Sequence, residues 1–238
     1  MKKLLLILFG FILSGSVSAQ DNLFTTESFI VKITGTKLIV EELLERKIVF
    51  RKDFIHPAGY VIDLDNDGNV EFLVNDCRES EGKNLYSVFI YNTVDSFYLI
   101  DSILSGLKEP YYTFSDEINE IILITGSPDF DTYNSDEIEM IYSPLICWGF
   151  HGNEFGLVND QLYDIFINEN EKNIDFVEEQ YKAKGKNCNT ANMLRGVIAS
   201  IFINYYSADE KAVADKALDE LFVCDNKARF KEEITKLF

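Results

Sequence analysis

Residues 63–71 read DLDNDGNVE. Asp63, Asp65 and Asp67 alternate, Gly68 follows, and Glu71 closes the run. Hard divalent cations take oxygen ligands, several of them charged, on a backbone that turns sharply. This stretch supplies both. Three alternating carboxylates can converge, Gly68 permits the turn, the carbonyl of Asn69 adds a neutral oxygen, and Glu71 completes the set. Calcium is the expected cofactor, with Asp63, Asp65, Asp67, Asn69 and Glu71 as ligands. Without a cation, the four carboxylates repel one another at close quarters.

The flanks decide which kind of calcium loop this is. An EF-hand needs Glu at its twelfth position, and that position is Val74, inside an apolar run. Tyr60-Val61-Ile62 before the loop and Phe72-Leu73-Val74 after it are aromatic and β-branched, which suits strands. The site is read as strand–loop–strand. Elsewhere the sequence offers less chemistry. The acidic residues between Asp129 and Glu137 lack a glycine and a regular spacing, and read as a solvated loop. His56 and His151 are the only histidines, both in turn-like contexts, and no CxxC or Cys/His cluster occurs, so no zinc site is expected. No GxSxG, Gly-rich phosphate loop or Cys/His nucleophile pair is present, and no catalytic residue is assigned.

Four cysteines, Cys77, Cys147, Cys188 and Cys224, allow three pairings. Cys188 lies just before one helical pattern and Cys224 just after the next. Two helices of similar length joined by a tight turn run antiparallel, which brings those ends together. A Cys188–Cys224 bond is therefore expected, worth about 3–4 kcal/mol in the chain-entropy picture. Cys77–Cys147 is then the second bond.

From Phe24 to about Asn168 the pattern is strand-like. Phe29 to Ile33, Lys37 to Val40, Lys47 to Phe50, Ile118 to Thr125, Ile138 to Tyr142 and Leu145 to Phe150 read as strands. Leu85 to Ile103 reads as a hairpin turning at Thr93 to Ser96. HGNEF (151–155) supplies another turn. After about Glu171 the period becomes helical: Leu194, Val197, Ile198, Ile201, Phe202 and Tyr205 recur at three and four residues. Ser207-Ala208-Asp209-Glu210 reads as a capping box opening the next helix. A last helix carries Phe230, Ile234 and Leu237. Three segments echo one another: DGNVEFLV (67–74), DEINEIIL (116–123) and DQLYDIFI (160–167), separated by roughly 49 and 44 residues. Each has Asp, an acidic residue four later, then an apolar run.

At the beginning, Lys2 and Lys3 precede an apolar run from Leu4 to Leu13, and Val17-Ser18-Ala19 fits a signal-peptidase site. Residues 1–19 are thus expected to be a signal peptide, 20–170 a β-rich domain with the calcium loop, and 171–238 a helical subdomain. The expected location is periplasmic or secreted, with no membrane span after signal removal.

The DxDxDGxxE loop between strands resembles the calcium loops of FG-GAP and VCBS-type repeats, as found in integrin-like β-propellers. The resemblance covers this one loop, and the segments at 116–123 and 160–167 lack its Asp-x-Asp-x-Asp ligands. It implies a mostly β fold, propeller-like or irregular antiparallel, in which the ion pins a blade. The expected class is mostly β with a C-terminal α-helical subdomain.

The chain is 47% hydrophobic and 13% aromatic, enough to bury a core, and its formal charge is −18. Nucleic acid and anionic membrane surfaces repel such a protein. Cations and basic partner surfaces suit it. The function expected from these readings is an exported, calcium-stabilised binding protein, not an enzyme, with a protein or glycan ligand. One alternative is an inhibitor or immunity protein against a cell-wall hydrolase, since lysozymes are often basic and charge would steer the encounter. Another is a carboxylate-dependent hydrolase.

Overall fold

Twelve short strands lie consecutively in a computed structural model that describes residues 22–152 and 154–237. The expected signal peptide lies outside the described residues. Each run of four neighbouring strands forms its own antiparallel sheet, in chain order. The first contains β1 (Asn22–Thr25), β2 (Phe29–Thr34), β3 (Lys37–Glu42) and β4 (Ile48–Asp53). The second contains β5 (Pro57–Ile62), β6 (Glu71–Ser80), β7 (Lys83–Asn92) and β8 (Tyr98–Gly106). The third contains β9 (Tyr111–Ser115), β10 (Glu120–Thr125), β11 (Ile146–His151) and β12 (Glu154–Leu157). Five helices follow: α1 (Asp164–Lys184), α2 (Cys188–Met193), α3 (Arg195–Ser207), α4 (Lys211–Leu221) and α5 (Lys227–Leu237). The fold is mostly β with a C-terminal helical region, as expected. The three sheets do not close into a barrel or a propeller.

Strand patterning explains the layering. In the first sheet Val31 faces Val40 and Ile33 faces Leu38, so period-two alternation builds one apolar face. That face packs on Phe72, Val74 and Tyr91 of the second sheet. Leu73, between Phe72 and Val74, points the other way and packs with Leu123 of β10. β6 is therefore covered on both faces, which is why Phe72 to Val74 is continuously apolar instead of alternating. β10 repeats the arrangement: Leu123 faces the second sheet, while Ile122 and Ile124 join Cys147, Leu162 and Phe166 on the side of α1. Each fully buried side chain of this size contributes about 1.5–3 kcal/mol.

The helices form a further cluster around Phe202, Leu218, Phe222 and Phe230, joined by Phe130 and Tyr142 from the β10–β11 connection. Asn204 ties this layer to the third sheet. Its Oδ1 accepts from the Leu145 amide at 2.9 Å, and its Nδ2 donates to Asn170 at 3.1 Å. Cys188 and Cys224 are disulfide-bonded across 36 residues, as the helical-hairpin reading requires.

Several expectations are corrected. Cys77 and Cys147 are free thiols. Cys77 pairs with Tyr86 in the second sheet, whereas Cys147 points away from that sheet into the cluster beneath α1. Burial there pushes the Cys147 thiol up to about 12. Ser207 to Glu210 is not a capping box. It ends α3: the amides of Asp209 and Glu210 donate to Tyr206 and Tyr205 carbonyls, with Asp209 at φ 57°. That is a Schellman closure, with Asp in the left-handed position that Gly more often fills. Ile138 to Tyr142 is not a strand, because Ile138 and Tyr142 serve the helical cluster instead. The third echo, 160–167, lies in a short 3-10 turn and the start of α1. The other two echoes hold equivalent places, leading into β6 and β10, each the second strand of its sheet.

Candidate metal centre

The 63–71 loop joins β5 to β6, and its backbone is shaped by two left-handed residues, Asn66 at φ 58° and Gly68 at φ 93°. A Cβ on Gly68 would meet nothing within 4 Å, so the glycine answers to the backbone angle and not to crowding. Leu64 anchors the loop. Its side chain is wholly buried between the second and third sheets, and its amide donates to Glu71 Oε2 at 3.0 Å. The far end is held by the Thr93 hydroxyl, which donates to the Val70 carbonyl.

Asp63 and Asp65 each use one oxygen to hold the turn. Gly68 N donates to Asp63 Oδ2 at 3.0 Å, and Asp67 N donates to Asp65 Oδ1 at 3.2 Å. These bonds aim other oxygens inward. Asp63, Asp65 and Glu71 each offer an oxygen, all within 4.8 Å of one another. Asp63 Oδ1 is buried with no hydrogen-bond partner. Burial, reinforced by the charges of Asp65 and Asp63 against the Leu64 hydrogen bond, pushes Glu71 up to about 7. Asp65 is also raised, first by burial and then by its Asp67 and Asp63 neighbours.

Asp67 and Asn69 stand apart. Asp67 Oδ1 accepts from the Asn69 amide at 2.7 Å and Oδ2 from its carboxamide at 2.9 Å, which holds the Asp67 carboxyl below its ordinary range. Three of the five expected ligands are therefore brought together, while the Asp67 carboxylate is held by the amide and carboxamide nitrogens of Asn69.

One neighbour was missed. Glu120, the first residue of β10, has Oε2 buried without a partner, and its carboxyl is raised by burial and then by Asp65. In the echoed segments it stands where Glu71 stands, four residues after an Asp, so the sequence did carry its signal. His151 is the last strand residue of β11, paired with Glu154 and not in the turn itself, with Nε2 2.9 Å from the Leu157 carbonyl oxygen and Gln161 against its ring.

An orphaned buried oxygen and an all-oxygen donor set fit a hard cation better than a transition metal. No protein-family model matches the chain, and neither does any curated protein or solved structure, so the site rests on its own geometry.

Proposed function

We propose that the 63–71 loop binds calcium and that the chain is an exported, calcium-stabilised β-rich binding module, related in the design of this loop to FG-GAP and VCBS-type repeats. The observation that carries the reading is the convergence of Asp63, Asp65 and Glu71 around the unpartnered Asp63 Oδ1. A divalent ion there would neutralise carboxylates that otherwise repel. It would pin β5 to β6 and, through Leu64, steady the packing between the second and third sheets. The Cys188–Cys224 disulfide supports a route through an oxidising compartment. Among the described residues, no helix is long and apolar enough to cross a membrane.

Extracellular-type sites bind calcium at about 0.1–1 mM, so calcium at about 5 mM would stabilise the fold by about 1–2 kcal/mol. Thermal unfolding in calcium and in chelator tests this. The native protein should melt about 2–6 °C higher with calcium, and Asp65→Ala should lose that difference. Equal melting in both conditions removes the metal reading. Among partners, the charge of −18 favours basic ones, and inhibition of a cell-wall hydrolase is a second reading on that ground. Lysozyme activity left unchanged by a large molar excess of this protein excludes that enzyme.

A further inference from the structure

The negative charge is not spread over the molecule. Residues 57–170, which hold the second and third sheets, contain 22 of the 40 acidic residues and only 3 of the 22 basic ones. Residues 22–56, the first sheet, contain 6 basic and 5 acidic residues, and 171–238 contain 11 and 12. The net negative charge thus belongs almost wholly to this stretch, mostly to the loops and connections of its two sheets. No Lys or Arg occurs between Lys52 and Arg78, or between Lys108 and Lys172.

An open groove lies where those two stretches meet. It is lined mainly by Val61, Ile62, Tyr112, Phe114 and Ile121, with Asp63 at its acidic end. Val61 is 37% exposed and Phe114 52%. Asp63 is the carboxylate that lines the groove. Ile121 and Phe114 are register partners and so share the face that lines the groove. Exposed Asp116 follows two residues after Phe114.

The strands beside the groove are edges. β5 pairs only with β6, and β9 only with β10. Their unpaired amides and carbonyls are a template for another strand, and proteins usually blunt such edges with lysine. Neither β5 (PAGYVI) nor β9 (YYTFS) carries one, and the proline of β5, another blunting device, stands only at its first residue.

We infer that the β5–β9 groove is the docking site for an extended cationic segment of a partner polypeptide, with Lys or Arg alternating with apolar side chains. Period-two alternation sends apolar side chains to one side of the added strand, into the groove, and the cationic ones to the other. Exposed Asp116 and the net negative charge of the 57–170 stretch supply the complementary charge and speed the encounter. The inference rests on the binding-module reading and not on the metal.

The test is fluorescence anisotropy of a labelled ten-residue peptide alternating lysine with isoleucine or phenylalanine. It is titrated with the protein in calcium at about 0.15 M salt, where distant surface charges are screened. Binding is expected, with none for the peptide carrying glutamate in place of lysine. The double variant Val61→Lys/Phe114→Lys should weaken binding at least tenfold. Asp116→Lys, which leaves the apolar lining untouched, should weaken it several-fold. Cooperative thermal unfolding of both variants near the native melting temperature shows that the fold is intact, and the absence of a calcium shift in the native protein would sink the metal reading alone. No peptide binding, or binding unchanged in both variants, overturns the groove. A native dimer that Val61→Lys/Phe114→Lys converts to monomer would assign this face to a second copy of the chain and overturn the inference.

Discussion

The β5–β6 and β9–β10 connections hold the same place in consecutive sheets, yet only one has the makings of a site. Both lead into a second strand whose first residue is glutamate, Glu71 or Glu120. Each contains an asparagine at φ 58°, Asn66 or Asn119. The shorter connection, 116–119, only closes a hairpin, with Asn119 N donating to Ser115 O at 2.8 Å. The longer one, 63–70, adds three aspartates and sinks Leu64 into the core between sheets. The extra residues therefore do two jobs. An apolar anchor fixes the loop, and only then can like charges be held close enough to need a cation.

That contrast can be broken by substitution. Leu64→Ala should cost about 2–5 kcal/mol and abolish any calcium response, because it removes an anchor the short turn does not have. Chemical denaturation with and without calcium measures both effects. Next in size is the pH response of the long loop. A glutamate raised to about 7 adds stability while protonated, below the ordinary carboxylate range, and that stability is lost as pH rises through about 7. In chelator the native protein should therefore lose on the order of 1–2 kcal/mol between about pH 4.5 and pH 8 from this group. Glu71→Gln should flatten that slope, and calcium should offset it by replacing the proton. Denaturation midpoints across that range decide it.

The backbone effects are smaller. Gly68→Ala forces an L residue to φ 93° and should cost about 1–2 kcal/mol without meeting any neighbour. In the short turn, Asn119→Gly should change stability by less than about 0.5 kcal/mol, because φ 58° is already open to asparagine. Paired melting curves of the two variants compare the loops directly. Equal costs would mean that the long loop is no more constrained than the hairpin.

Much of this architecture was legible. The apolar run Phe29 to Ile33 marked a strand, the aromatic run from Leu85 to Ile103 marked a hairpin, and the interval between two helical patterns marked the Cys188–Cys224 bond. The failures have physical causes. The start of α1 was hidden because Ile165 and Phe166 read as strand, while its buried face carries Asn170, whose amide donates to the Ile201 carbonyl at 3.0 Å. Apolar periodicity cannot register a face satisfied by asparagine. Counting cysteines could not show that Cys77 and Cys147 lie on different sheets, with Cys147 turned toward the helices. The loop's ligand types were visible, but its hydrogen bonding was not. Asp67 and Asn69 look equivalent to their neighbours in sequence, yet they satisfy each other. Glu120 was visible only as part of an echo, since its proximity to Asp65 depends on sheet packing.

Isothermal titration of calcium into the native protein, Asp65→Ala and Glu120→Gln tests the central claim most directly. The loop geometry predicts one site in the native protein, no binding in Asp65→Ala, and a single retained site in Glu120→Gln with affinity changed by less than about tenfold, or 1.4 kcal/mol. Absence of binding in the native protein, or binding that survives Asp65→Ala unchanged, would contradict it.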